Sequence, residues 1–336
     1  MSDQFVFAME VTLNGLMAGV LYALVALGFV LIYKASGIFN FAQGVMALFA
    51  AMTLVGIMNG QVPFSHLINA TFGTDLHDFG WHLPALLAIL LTVGVMVLLA
   101  WGVQRFVFSH LVGQEPIILF MATIGLAYFL EGLADLMWGS EIKTLNVCLF
   151  GESGCLPQGI NETIDAVTYE WFGYGFFIDN LDITATIVAA VLVAALIAFS
   201  QYTKQGRALR AVADDHQAAL SVGISLNFIW ILVWSLAGFV ALVAGIMWGA
   251  KSGVQFSLSL IALKALPVLM LGGFTSIPGA IVGGLIIGVG EKLFEFAIGA
   301  PFLGGATENW FAYVLALVFL VFRPQGLFGE KIIERV

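Results

Sequence analysis

Charge is scarce in this chain. Asp, Glu, Lys and Arg make up 10% of its 336 residues, where a soluble domain carries about 25%. The apolar share is 61%, against about 45–50% in an average soluble domain. No globule of this length has interior enough for so much apolar side chain, so a soluble protein is excluded. Positive charge is scarcer still: 12 Lys and Arg stand against 21 Asp and Glu, for a formal net charge of −9. That argues against a nucleic-acid binder, which needs a basic surface, and against a peripheral protein held by a basic patch on anionic lipid. There are two cysteines, Cys148 and Cys155, too few for a metal cluster. No Lys or Arg precedes the first apolar run in MSDQFVFAME, so the positive flank of a cleaved secretory signal is absent. Catalytic signatures are missing too. There is no GK pair and hence no P-loop, no HExxH and no G-x-S-x-G. His66, His77 and His82 share a loop with Asp75 and Asp78, but the spacing fits no zinc pattern and reads as solvated surface.

Long apolar runs are abundant. A helix needs about 20 apolar residues to cross a bilayer, and the runs 11–33, 41–58, 84–103, 117–138, 183–199, 228–249 and 310–322 qualify or nearly qualify. The run 258–296 is too long for one crossing and is interrupted by GGFTSIPGA at 272–280, which reads as a tight turn between two spans. The expected fold is all-α: a single polytopic membrane domain over 1–336, with about nine spans (eight to ten) and broken or re-entrant segments.

The loops orient it. Residues 60–83 and 139–182 hold nine acidic residues and one basic residue, Lys143. Lys34, Arg105, Lys204, Arg207, Arg210, Arg323, Lys331 and Arg335 fall on the other side. Basic loops stay in the cytoplasm, which puts the N-terminus outside, the C-terminus inside and an odd number of spans between. Lys251, Lys264 and Lys292 would lie toward the outside and weaken this count. An extracytoplasmic 139–182 loop lies in an oxidising compartment that permits a Cys148–Cys155 disulfide, with two free thiols as the alternative.

Two interruptions fall at corresponding points of the two halves: GIFNFAQG at 37–44 and the 272–280 turn. Non-helical backbone at membrane depth survives only where protein or a water-filled cavity completes its hydrogen bonds, and paired interruptions point to a translocation pathway. Asn40 and Gln43 place two amides in the first. Gly15 and Gly19, Gly279 and Gly283, and Gly284 and Gly288 are each four apart, a spacing that lets helices approach closely. Glu131 and Asp135 share one helix face, as do Glu291 and Glu295, with Lys264 and Lys292 as candidate partners. Near span ends, these carboxylates are expected at a wet rim rather than in a midplane proton relay.

Residues 203–224 form a polar, helix-forming cytoplasmic segment. On one helix, Leu209, Val212, His216, Ala219 and Leu220 share a face and Arg210, Asp214, Gln217 and Ser221 the other, with Gly206 and Gly223 at the ends. Such a helix suits the membrane surface or a partner's groove. This stretch, TKQGRALRAVADDHQAALSVGI, resembles the coupling segment of permease subunits of bacterial branched-chain amino acid ABC importers, the LivH-type family. The opening LNGLMAGVLYALVALGFVLIYKASGIFNFAQGVMALFAA, with NFAQG at 40–44, the late GGFTSIPGAIVGG and the final FRPQGLFG are similar to the same family, over about residues 11–329. The 139–182 loop is longer than the family leads one to expect.

The resemblance implies a transporter subunit with no catalytic residues, no metal and no bound cofactor, in the inner membrane. Its implied partners are a homologous permease, two ATPase subunits that carry ATP and Mg, and a periplasmic binding protein. Gly206, Arg207, Arg210, Ala211, Asp214, Asp215, Ala218 and Gly223 would form the helix seated in the ATPase. The substrate path would run between the two permeases, lined in part by Asn40, Phe41, Gln43 and Gly44 and by Gly272, Gly273 and Thr275. Branched-chain or other hydrophobic amino acids are the expected substrates, and urea or short amides the runner-up. An ion-coupled carrier would need a midplane ion site and has no use for a coupling helix; a channel would need a filter element, which is not visible.

Overall fold

The computed structural model describes residues 3–73, 78–80, 83–111, 113–148, 155–156, 166–171 and 174–329. The helices in chain order are α1 (Asp3–Ser36), α2 (Gln43–Met58), α3 (Ser65–Phe72), α4 (Ala85–Gly102), α5 (Pro116–Trp138), α6 (Asn180–Tyr202), α7 (Lys204–Asp214), α8 (His216–Ser221), α9 (Leu226–Ser252), α10 (Ile261–Gly272), α11 (Ile277–Phe294), α12 (Ala300–Leu303) and α13 (Glu308–Phe322). Among the described residues, two small hairpins break the all-helical pattern in the long loop. Strand β1 (Val147–Cys148) pairs antiparallel with β2 (Cys155–Leu156), and β3 (Ala166–Trp171) with β4 (Tyr174–Asp179). The register of the first sets Cys148 opposite Cys155.

Among the described residues five helices are long and apolar enough to cross a membrane: α1, α4 with the turns that extend it to His110, α5, α6 and α9. Each expected apolar run is a helix, but α2 and α13 are short, and the span through α10 meets Ile277–Leu303 at a bend of 114°. The 272–280 element is therefore a sharp corner, as its glycines and proline demand.

Burial divides the helices. Over their most apolar windows α1 is 78% buried and α9 67%, whereas α4, α5 and α6 are each 28% buried. A helix that is apolar all round belongs inside, or against lipid; α1 and α9 take the first place and the other three keep a broad apolar face outward. The α1–α11 crossing is set by glycine. A Cβ on Gly15 would lie 2.9 Å from the Gly288 carbonyl oxygen, and one on Gly19 2.5 Å from that of Gly284. The two glycine pairs thus interlock backbone against backbone.

One end of the molecule gathers Lys34, Arg210, residues 275–278 and Phe328. The other gathers Gln61, Asp135, Trp138 and Lys143, with Lys143 bridged to Val254. The three lysines that weaken the charge count are each paired with a carboxylate. Lys251 meets Asp182 at 2.5 Å, Lys264 meets Glu291 at 3.1 Å and Lys292 meets Glu308 at 2.7 Å.

Candidate functional site

The segment after α6 is two helices rather than one. Thr203 is extended, and its hydroxyl donates to the Phe199 carbonyl (2.6 Å) while accepting from the Gly206 N–H (2.9 Å). The chain folds back so sharply here that a Cβ on Gly206 would sit 2.2 Å from the Phe199 oxygen, so glycine is required. Gly206 therefore lies within α7 and does not bracket it. Asp215 interrupts the helix at φ −157°, ψ 112°, and its carboxylate accepts from the N–H groups of Gln217 (2.8 Å) and Ala218 (3.1 Å), capping α8. An aspartate that caps is spent locally, which the helical-face reading of 203–224 missed.

Leu209, Val212 and Ala219 are buried, as their spacing implies, and His216 meets the Trp230 ring edge-on at 6.3 Å, tying α8 to α9. Leu220, expected on the same face, is instead 48% exposed, and Val222 beside it is 79% exposed. Arg207, Asp214, Asp215, Gln217, Ala218 and Gly223 are exposed, Ala211 is half-buried, and Gly223 turns the chain at φ +87°. The pair segment thus presents charge along α7 and an apolar tip at Leu220–Val222. The signal for that tip was available: two apolar residues astride the end of a polar helix, just before a glycine turn. Arg210 lies apart from this tip, in a cavity with Lys34.

The first interruption, residues 37–42, folds back along α1. Gly37 turns at φ +67°. A Cβ on Gly28 would lie 1.9 Å from the Gln43 amide nitrogen, so α2 starts deep within the helix bundle, level with Gly28 rather than with the end of α1. Asn40 and Gln43 are buried. Asn40 Oδ1 accepts from the Ala42 N–H (3.1 Å), its Nδ2 donates to Gln43 Oε1 (3.3 Å), and Gln43 Nε2 donates to the Ala237 carbonyl (3.3 Å). Thr123 of α5 closes the loop: its hydroxyl accepts from the Phe41 N–H (3.1 Å) and donates to the Phe39 carbonyl (3.1 Å). A Cβ on Gly44 would meet the Ser259 carbonyl at 2.1 Å. Asn40 and Thr123 therefore complete backbone hydrogen bonds that a break at this depth leaves open, and Gln43 ties Asn40 to α9.

The second interruption is fastened by the end of the chain. Gly273 has φ +103°, and the N–H groups of Leu327 and Phe328 donate to the Leu271 (2.8 Å) and Gly272 (3.1 Å) carbonyls, the orphan acceptors at the end of α10. Gly272 and Gly279 touch so closely that a Cβ on either would lie 2.2 Å from the other's carbonyl oxygen. Thr275 lines the same cavity as Lys34 and Arg210. The two interruptions meet: Phe274 packs on Phe39 (6.1 Å between ring centres) and on Tyr33 (5.3 Å).

The carboxylates divide in a way the sequence does not reveal. Glu291 is 1% exposed, so the expectation of a wet rim fails for it. Its Oε1 meets Lys264 Nζ and the Tyr22 hydroxyl (3.4 Å), and Trp248 stacks on Tyr22 at 5.9 Å. Four helices thus share one buried polar cluster, in which Glu291 Oε2 and Trp248 Nε1 have no hydrogen-bond partner among the described residues. Glu295 accepts from the backbone N–H of Thr307 (2.8 Å) and from its hydroxyl. Glu131 is half-buried and Asp135 exposed. Asp135 lines an open cavity of about 740 Å³ with Gln61, Trp138 and Lys143. Lys143 donates to Gln61 Oε1 (2.5 Å) and to the Trp138 carbonyl (2.7 Å); burial pulls its pKa below the ordinary lysine value, against the opposing charge of Glu141. His77, His82 and Asp75 lie outside the described residues, as do Glu152, Glu162 and Asp165.

Comparison with known proteins adds a family. The model of the branched-chain amino acid transport system permease component matches residues 11–323. The high-affinity branched-chain amino acid permease LivH of Escherichia coli is 28% identical over 341 aligned residues, covering 100% of both chains. BraD of Pseudomonas aeruginosa, also described as a high-affinity branched-chain amino acid permease, is 28% identical over 96% of each. A probable LivH of Methanocaldococcus jannaschii is 26% identical over 92% of this chain and 89% of its own. Among solved structures, PsaBC from Streptococcus pneumoniae with a Fab aligns over 93% of this chain and 91% of its own at 13% identity and a TM-score of 0.42, too distant to carry positions across.

Proposed function

The chain belongs to the family of branched-chain amino acid transport permeases, and from that membership we propose that it is the membrane subunit of an ATP-driven, binding-protein-dependent importer of branched-chain or other hydrophobic amino acids. It works beside a second permease and two ATPase subunits that hold ATP and Mg; this chain supplies passage and no hydrolysis. The observation that carries the reading is the α7–α8 pair, a charged helix with an exposed apolar tip at Leu220 and Val222 standing beyond the long apolar helices. A tip of this kind fits a groove on a partner. Arg207, Asp214 and Ala218 flank it, and movement of the ATPases reaches the bundle through His216 and Trp230 and through the buried Leu209 and Val212.

The orientation that goes with this reading has the N-terminus outside and the C-terminus inside, with nine crossings when α2, α10, α11 and α13 are counted. Cys148 and Cys155, opposite one another in the first hairpin, then form a disulfide in the oxidising compartment. The substrate path runs along α5. Met121, Tyr128 and Asp135 lie on one exposed stripe with Gly125 and Gly132 between them, at alternating spacings of three and four. Tyr128 is 72% exposed, and polar side chains such as Tyr128 and Asp135 on an apolar helix belong against protein or water rather than lipid. The residues of the two interruptions, Asn40, Phe41, Gln43, Gly44, Gly272, Gly273 and Thr275, then act behind the path as the joints about which α2 and α11 swing.

Uptake of radiolabelled leucine by cells with and without the gene tests this. The reading predicts uptake that disappears on deletion, returns with the wild-type gene, stays lost with Val222→Glu, and is competed by isoleucine and valine but not by urea. Uptake unaffected by deletion, or competed by urea alone, contradicts it.

A further inference from the structure

At the end of the molecule that carries α7, an open cavity of about 440 Å³ lies between the ends of α1 and α6, the α7 helix and the turn that leads into α11. Two cations line it, Lys34 and Arg210, together with the polar side chains of Ser200, Gln201 and Thr275. Among the described residues no carboxylate lines it, and neither cation is in an ion pair. The start of α11 adds the positive end of a helix dipole, with the Ser276 hydroxyl accepting from the Gly279 N–H at 3.0 Å. Two uncompensated cations beside a helix start call for an anion.

The cavity is not wholly polar. Ile197, Pro278 and Phe328 form part of its wall. It shares Lys34, Ser200 and Ile277 with a narrower apolar cleft between α1 and α6, walled by Leu31, Leu196 and Phe199. From there α6 continues outward as an exposed apolar face, through Ala198, Ala194, Val191 and Ile187. A basic pocket that opens onto an apolar, lipid-facing helix has the shape of an anionic phospholipid: the phosphate against the cations, an acyl chain along the helix. An acidic protein loop would match the cations and leave the α6 wall unmatched.

We propose that Lys34, Arg210, Ser200 and Thr275 form a binding site for the headgroup of an anionic glycerophospholipid, whose chain lies along α6. The site places a lipid between the coupling pair and the second interruption, so Arg210 binds lipid rather than an ATPase. The proposal rests on the reading of α1 and α6 as membrane spans.

The test is native mass spectrometry of the purified complex in detergent, doped with phosphatidylglycerol or with phosphatidylcholine of the same chains. The expected result is preferential retention of phosphatidylglycerol. Lys34→Gln with Arg210→Gln should lower that retention about 10- to 30-fold, from the loss of two cation contacts. Lys34→Arg with Arg210→Lys should retain it, and Arg105→Gln with Lys204→Gln, two exposed cations outside the cavity, should leave it unchanged. Equal retention of the two lipids by the wild type, or unchanged retention in the double glutamine variant, overturns the proposal. Displacement of the lipid by millimolar inorganic phosphate makes the site one for a free anion and also overturns it, as does loss of the ATPases from Arg210→Gln with lipid retention intact. A chain that purifies without ATPases yet holds phosphatidylglycerol through these cations contradicts the importer reading alone.

Discussion

Removing Lys264 leaves the Glu291 carboxylate buried without its cation. The pair is separated by 3.1 Å, and Glu291 is 1% exposed. At an effective dielectric constant of about 20, charges at that distance attract by about 5 kcal/mol; desolvation cancels much of this, so the intact pair contributes little net stability. Breaking it is different. A buried charge stripped of its partner costs about 3–5 kcal/mol, and here the lower figure applies because Lys264 is 30% exposed and the pair is not fully enclosed. Among the described residues Glu291 Oε2 already has no partner, and the second donor to the carboxylate is the Tyr22 hydroxyl at 3.4 Å. Lys264→Met should therefore destabilise the bundle by about 3 kcal/mol and Glu291→Met by a similar amount. The double variant, which replaces the pair with apolar side chains, should lie within about 1 kcal/mol of the wild type. Reversible unfolding in mixed micelles of mild detergent and SDS, followed by tryptophan fluorescence, measures all four corners of the cycle. Additive losses, with the double variant about 6 kcal/mol below wild type, would refute the reasoning, because the two residues would then act separately.

Other expectations are more direct. Gly19→Leu or Gly288→Leu should separate α1 from α11, since even a Cβ there meets opposing backbone at 2.5 and 2.4 Å; overpacking of this kind costs about 1–3 kcal/mol or more, readable as a lower midpoint in the same unfolding assay. Asn40→Leu should lower the yield of folded protein by leaving the Ala42 N–H and the Gln43 amide short of partners, at about 1–3 kcal/mol each for buried groups; a monodisperse variant of wild-type stability would mean that Asn40 serves the path instead. Asp214→Arg should reduce ATP-driven uptake while membrane insertion stays normal, as judged by fractionation, because its side chain is exposed at the end of α7. Maleimide labelling of Cys148 and Cys155 in denatured protein should be absent until a reductant is added; full labelling without reductant excludes the disulfide.

The membrane class, the two interruptions and the glycine seams were legible because each is written locally. Hydropathy is a property of a run, and Gly15, Gly19, Gly284 and Gly288 show their spacing within single helices. That α1 and α11 are the pair they join is a fact of the fold. The depth of Glu291 was not legible, because it depends on Lys264, 27 residues away, and on Tyr22, 269 residues away. The break in 203–224 was hidden by a helical spacing that continues through it; Asp215 ends α7 only because its side chain caps the next helix. Asn40 and Gln43 stood out as amides in an apolar run, yet the same anomaly arises whether an amide lines a path or mends a broken helix. Thr123, on α5, is what closes that loop, and nothing in its own surroundings marks it. The first hairpin after residue 139 was missed because two-residue strands leave no period to read; the second, AVTYEW paired with YGFFID, is rich in the β-branched and aromatic residues that mark strands and was legible but overlooked.

The central claim is that this chain works as one membrane subunit among several, driven through α7 and α8. It is tested most directly by purifying the tagged chain from its native cell in mild detergent and identifying what comes with it by mass spectrometry. The account predicts a second, homologous multi-span subunit and P-loop ATPases, with the ATPases lost from Val222→Glu. A stable, monodisperse chain recovered alone would contradict it.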